Sequence, residues 1–197
     1  DGVCESHTGM EDCSLRAAIQ ESNAWPGQDT IVLPAGYYGL SLVGTDEDAA
    51  ATGDLDITDA LVISGAGSAG VIVDADYSDR VFDIWSTSDV TIAGLQIQYG
   101  YLYLSDGAGL RHNHGHLTLQ DVIVQNNGTS CGFQALGANG GFAGAAGGIA
   151  SLSGQLDLQH VILQNNVSDC GVGGLFVGSS QVTITASSLL SNTSSYQ

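Results

Sequence analysis

The chain has 197 residues, 43% of them hydrophobic, with 28 glycines, no lysine, and three arginines against 21 acids, for a formal net charge of −18. That charge repels phosphate backbones and anionic lipid surfaces, which excludes nucleic-acid and membrane-surface partners, and the apolar content excludes a disordered acidic tail. No apolar run reaches the ~20 residues a membrane helix needs, and no Gly-X-Y period points to collagen.

The first residue is Asp1, not Met, and no signal peptide follows, so the chain reads as a processed or trimmed product. Ser14-Leu-Arg-Ala-Ala-Ile-Gln-Glu-Ser-Asn23 places apolar residues at 15, 18 and 19 on one helical face. Ser14 is positioned to cap this helix, which ends before Trp25-Pro26-Gly27. Residues 1–28 are therefore expected to form an N-terminal cap carrying an amphipathic helix. The strand Asp29–Leu33 follows and opens a second unit, 29–197.

Asp46, Glu47, Asp48, Asp54, Asp56 and Asp59 cluster around the next loop. Loop carboxylates a few residues apart can converge on Ca²⁺ with backbone carbonyls, and the first five are candidate ligands. The plainer reading is a set of solvated loop acids, since the spacing is not that of an EF-hand.

From residue 90 onward the chain repeats. Val90–Gly100, Leu117–Asn127, Leu156–Asn166 and Val182–Asn192 align at intervals of 27, 39 and 26 residues. Each is apolar at its first, third, sixth and eighth positions, except for Ser187. This is period two, a one-residue shift, then period two again: two short strands joined by a bend. Leu110, Ile149 and Leu175 mark a third strand seven residues before three of the repeat starts. Such a coil cannot bury its own apolar face, and stacking at ~4.8 Å builds one continuous core. The expected fold is all-β: a right-handed parallel β-helix of three-strand coils with a short N-terminal capping α-helix. The long interval contains a Gly/Ala-rich insertion, about 132–146, that should leave the stack as a loop.

Cys131 and Cys170 lie four residues after Asn127 and Asn166, at equivalent positions of consecutive coils, close enough to pair. Cys4 and Cys13 would then pair within the cap. Two disulfides imply an oxidising, extracellular compartment. His112, His114 and His116 alternate and could share one face as a transition-metal site, but Gly115 suggests a surface turn that splays them. Asn127, Asn166 and Asn192 begin glycosylation sequons at stacked positions; the competing reading is an asparagine ladder along the stack. Tyr99, Tyr101 and Tyr103, with Tyr37, Tyr38 and Trp85, suit either sugar stacking or core packing.

Cys13-Ser-Leu-Arg-Ala-Ala-Ile19 resembles the N-terminal signature of the CSLREA-domain proteins, with Ala17 where the family name has Glu. Gly27–Leu33, Glu47–Ile57, Asp79-Arg-Val-Phe-Asp83 and Gly94–Ile97 look like the same family. The resemblance implies bacterial proteins, secreted or attached to the cell surface, built as parallel β-helices and often part of larger chains. It implies no catalytic residues.

The expected function is an extracellular structural or adhesive module, an adhesin or a subunit of a surface fibre, joined through stacked ends to further β-helix or to itself. Its partner could be a carbohydrate or another cell-surface molecule. No cofactor is required, and Ca²⁺ is the candidate ion. The alternative is a polysaccharide lyase or hydrolase, or a carbohydrate-binding β-helix. A lyase needs a base and cations for uronates, and only Arg111 is placed to serve. A glycosidase needs paired carboxylates, and Asp121 and Asp157 occupy different repeat positions. Thr91, Thr118 and Thr183 form a row that Asp157 interrupts, which argues against a regular flat-surface binder.

Overall fold

The computed structural model describes residues 13–45, 47–131, 146–169 and 171–195. Its one helix among them, α1 (Leu15–Ala24), starts where the sequence placed it. The Ser14 hydroxyl accepts from the Ala17 backbone N–H at 3.1 Å, and Leu15 and Ile19 turn inward. Both join the core beside Leu33 and Leu55, so α1 lies against the first strands.

The strands come in successive levels. The first holds β1 (Asp29–Leu33) and β2 (Gly36–Gly39). The second holds β3 (Leu55–Ile57), β4 (Leu61–Gly65) and β5 (Val71–Asp74). The third holds β6 (Phe82–Ile84), β7 (Asp89–Ala93), β8 (Gln96–Gln98) and β9 (Tyr101–Tyr103). The fourth repeats it with β10 (Leu110–His112), β11 (His116–Gln120), β12 (Ile123–Gln125) and β13 (Gly128–Ser130). The fifth has β14 (Ile149–Gln159), β15 (Ile162–Gln164) and β16 (Val167–Ser168); the sixth has β17 (Leu175–Thr185), β18 (Ser188–Leu190) and β19 (Thr193–Ser194).

All pairings are parallel and join one level to the next. They make a nine-stranded sheet from β1 to β14 and back to β3, with β17 on β14, a six-stranded sheet β18-β15-β12-β8-β5-β2, and a four-stranded sheet β19-β16-β13-β9. In the fifth level one strand, β14, pairs with both β10 and β11, because no turn interrupts Ile149–Gln159. The third to sixth levels carry a short strand, β9, β13, β16 or β19, beyond the three expected. In β13 and β16 it escaped the sequence pattern because the inward residues are polar: Thr129 donates to the Ser168 hydroxyl at 2.9 Å, and both are buried.

The repeat alignment is the structural register. Leu61, Val90, Leu117, Leu156 and Val182 stack in one column, and Ile63, Ile92, Leu119, Leu158 and Ile184 in the next. Val73, Ile97, Val124, Leu163 and Leu189 make a third, and Leu55, Phe82, Leu110, Ile149 and Leu175 a fourth. Through the fifth level these side chains are essentially fully buried. Each buried Leu or Ile stabilises the fold by roughly 1.5–3 kcal/mol, so the columns are the main source of stability.

The one-residue phase shift has a backbone cause. Gly94, Asp121, His160 and Ala186, all at the fifth repeat position, have φ of 65°, 54°, 53° and 51°. Tyr99, Asn126, Asn165 and Ser191, at the tenth, repeat this with φ between 52° and 56°. A left-handed residue turns the chain sharply and resets which side chain faces inward. At Gly94 the requirement is steric as well, since a Cβ there would meet the Gly65 carbonyl oxygen at 2.6 Å.

Candidate functional site

Two places stand out from the regular stack: a charged network on the outer side of the large sheet, and the last level.

The network begins on β3. Leu55 and Ile57 enter the core, and Asp56 between them lies on the outer side of the sheet. Register continues that outer row upward: Asp56 pairs with Asp83 on β6, and Asp83 with Arg111 on β10. Two carboxylates thus stand on adjacent strands, a destabilising neighbourhood unless each is compensated. Asp83 is compensated. It accepts from Arg80 Nη1 and Arg111 Nε, both at 2.9 Å, and from Arg111 Nη2. Arg111 also lies over the Trp85 ring, 5.1 Å from its centroid. Arg80 further donates to Asp54 Oδ2 at 2.7 Å, to the Ser105 hydroxyl, and to the carbonyls of Asp106 and Gly107.

Asp56 is compensated only in part. Its Oδ2 accepts from the Ala50 N–H at 2.7 Å, but its Oδ1 is buried with no hydrogen-bond partner. Burial, reinforced by Asp83, Glu47 and Asp48, pushes the Asp56 carboxyl up to about 7 against the Ala50 bond. Burial likewise raises Asp54 to about 7 against the pull of Arg80, with Asp56, Asp79 and Asp83 adding to the rise. Asp54 and Asp56 are therefore not the solvated loop acids that the plainer reading expected. Their strand carries them under the loop that precedes it.

That loop is held by α1. Arg16 donates to the carbonyls of Ala50, Thr52, Gly53 and Asp54, Gln20 donates to Ala50 O, and Asn23 bridges Asp56 O and the Thr58 N–H. Glu47 accepts from the N–H groups of Ala49 and Thr52, which shapes the loop from within, and Asp59 accepts from those of Gly27 and Ala60. Asp48 is exposed; Asp46 lies outside the described residues. Above the network opens a cleft of about 480 Å³, with Asp48, Asp54, Asp83 and Arg111 on its wall and Tyr77, Tyr101 and Tyr103 at its side.

Arg80, Asp79 and Asp83 were not among the candidate site residues. One signal was available: Asp83 follows Asp56 by 27 residues, the interval that separates Val90 from Leu117.

At the last level the columns surface. Ile184 is 47% exposed, Leu189 49% and Leu190 51%, and β17, β18 and β19 are paired on one side only among the described residues. The ladder that reaches this level is polar as well as apolar. Asn127 Nδ2 donates to Asn166 Oδ1 at 2.9 Å, Asn166 Nδ2 donates to Asn192 Oδ1 at 2.9 Å, and Asn192 Nδ2 donates to Leu163 O. Asn127 and Asn166 are buried with these amides engaged, which is the geometry of a ladder and leaves no room for a glycan; Asn192 is half-buried.

The other candidates separate. His112 is fully buried on β10 with Nδ1 3.0 Å from the Ser151 hydroxyl, where a surface turn was expected. His114 is exposed and lies near Trp85, while His116 Nε2 contacts Asp157 Oδ2 at 2.9 Å. The three imidazoles do not converge. Burial would raise the Asp157 carboxyl, but hydrogen bonds from His116, Thr183 and Gln155 hold it below the ordinary range. Asp157 stands in register with Thr118 and Thr183 and breaks the threonine row, as its sequence position implied. Asp121 occupies a left-handed corner, away from that row. Tyr77 and Tyr99 stack at 5.0 Å between centroids, and Tyr37, Tyr101 and Tyr103 are exposed. Neither Cys13 nor Cys131 is a free thiol, but Cys4, Cys170 and residues 132–145 of the insertion lie outside the described residues.

The chain matches no protein-family model, no curated protein and no solved structure.

Proposed function

We propose that the chain is an extracellular structural or adhesive module, a right-handed parallel β-helix that associates through its last level. The observation that carries this reading is the fate of the columns. Side chains fully buried from the second level to the fifth become half-exposed at Ile184 and Leu189, beside three strands whose outer edges are unpaired among the described residues. An open parallel edge over an apolar floor is a template for another layer of strands. The opposite end is occupied by α1, with Leu15 and Ile19 in the core. Head-to-tail growth would need both ends open. Further coils of the same β-helix would satisfy that demand, and so would two copies meeting at their last levels by a two-fold, self-complementary contact.

The three arginines support a non-enzymatic role. Arg16 is engaged by loop carbonyls, Arg80 by Asp54 and Asp83, and Arg111 by Asp83 and Trp85. A lyase would require such a cation free to meet a uronate. The exposed Tyr77, Tyr101 and Tyr103 beside the cleft favour, as a second reading, adhesion to neutral sugar rings by stacking. Membership of the CSLREA family, secretion, and the disulfides Cys4–Cys13 and Cys131–Cys170 belong to the same proposal. No described helix is long and apolar enough to cross a membrane.

Sedimentation velocity from micromolar to millimolar concentration tests the association. The native chain is expected to move from monomer to dimer, and Ile184→Asp with Leu189→Asp is expected to hold it monomeric. A native chain that stays monomeric throughout contradicts the proposal. Reducing-sugar release from a polysaccharide panel would replace it with an enzymatic reading.

A further inference from the structure

We propose that Asp48, Asp56 and Asp83 bind one calcium ion, which fastens the loop before β3 to the outer side of the large sheet. The inference is independent of how the chain associates. One carboxylate oxygen from each of the three lies within 4.8 Å of those of the other two. Two oxygens on one ion cannot be farther apart than twice the metal–oxygen distance, about 4.6–5.2 Å for Ca²⁺ and about 4.0–4.2 Å for Mg²⁺. The cluster therefore fits within the span of a Ca²⁺ shell, whose flexible six to eight ligands accept carboxylates from a loop and two strands. All three donors are hard oxygens, which select against zinc and copper.

The second, independent observation is Asp56 Oδ1. Asp56 is fully buried, and this oxygen has no hydrogen-bond donor, although the rest of the network is densely bonded. An uncompensated buried carboxylate oxygen is costly, and a cation at the cluster is the ligand that removes that cost. The charge balance points the same way. Glu47, Asp48, Asp54, Asp56, Asp79, Asp83 and Asp106 gather around Arg16, Arg80 and Arg111; seven carboxyls share three arginines, so four have no cation of their own. The arginines are spent on Asp83, Asp54 and loop carbonyls, and Asp56 receives none of them.

The three ligands come from the loop, from β3 and from β6. Their joint occupation would tie the loop, which α1 holds through Arg16 and Gln20, to the paired strands β3 and β6. Asp48 is exposed, which gives the ion a way in and leaves positions for water to complete six to eight ligands.

Calorimetric titration of the full chain with CaCl₂ in ~0.15 M NaCl, where diffuse attraction is screened, tests this. The native chain is expected to bind one ion saturably and to melt at a higher temperature when bound. Asp48→Asn, at an exposed position that should not disturb folding, is expected to weaken binding at least tenfold. Asp56→Asn is expected to abolish it, and Asp121→Asn, an exposed acid at a corner outside the cleft, to leave it unchanged. MgCl₂ is expected to bind more weakly. No saturable site in the native chain overturns the proposal. So does binding that neither Asp48→Asn nor Asp56→Asn alters, or MgCl₂ binding as tight as CaCl₂.

Discussion

The stack from β10 to β19 and the region from α1 to β6 are built from the same kind of level but are held differently. In the first, every level repeats its neighbour. Leu117, Leu156 and Val182 stack, Asn127, Asn166 and Asn192 bond amide to amide, and no arginine past Arg111 is needed. In the second, a long loop intrudes between β2 and β3, and its backbone carbonyls and acids find no matching level above or below. Arg16 and Arg80 lie there, and Arg111 reaches back from β10 to join them at Asp83. Where the period holds, repetition satisfies the polar groups; where it breaks, charge must do so.

That contrast predicts graded sensitivity, beginning with the ion network. Arg80→Ala leaves Asp54 and Asp83 buried beside one another with a guanidinium missing, and should destabilise the fold by about 3–5 kcal/mol in urea unfolding. A loss below about 1 kcal/mol would mean that the network is incidental. In the regular stack, Leu117→Ala should cost about 2–4 kcal/mol, because its column is closed on both sides. Val182→Ala, on the open last level, should cost less than half as much. Equal losses would show that the last level is covered in solution. Asn166→Ala removes the middle rung of the amide ladder, taking the acceptor from the Asn127 backbone N–H and from one of the two Asn127 Nδ2 hydrogen bonds, at a cost of about 1–3 kcal/mol.

The smallest effect is a pH dependence. Burial lowers the His112 pKa, outweighing hydrogen bonds with the His114 and Gly115 backbone, so the folded imidazole is neutral while the unfolded one takes a proton near about 6.5. Its contribution is therefore complete above that value and is lost as the pH falls through it. The urea midpoint of the native chain should drop more between pH 7.5 and 5.5 than that of His112→Asn. A parallel drop in both would remove His112 from the account.

Much of the stack was legible in the letters. The four apolar columns follow from period two, and the left-handed corners at Asp121, His160 and Ala186 follow from the single-residue phase shift, though not their dihedral sign. Ser14 announced the helix start because a capping hydroxyl has a local partner. What remained hidden lacked an apolar or local signature. The β13 and β16 strands face inward with Thr129 and Ser168, which read as loop residues. Asp56 looked like its neighbours Asp48 and Glu47, since burial under a loop depends on contacts with α1 and β6 that sequence spacing does not display. Asp83 and Arg80 entered the site only through register across levels.

The central claim is that successive levels stack in register. Methyl–methyl nuclear Overhauser contacts in a leucine- and valine-labelled sample test it most directly. The account predicts cross-peaks linking Val90 to Leu117, Leu117 to Leu156 and Leu156 to Val182, with none from Val90 to Val182. Missing contacts between those neighbours, or a direct one across the span, would contradict it.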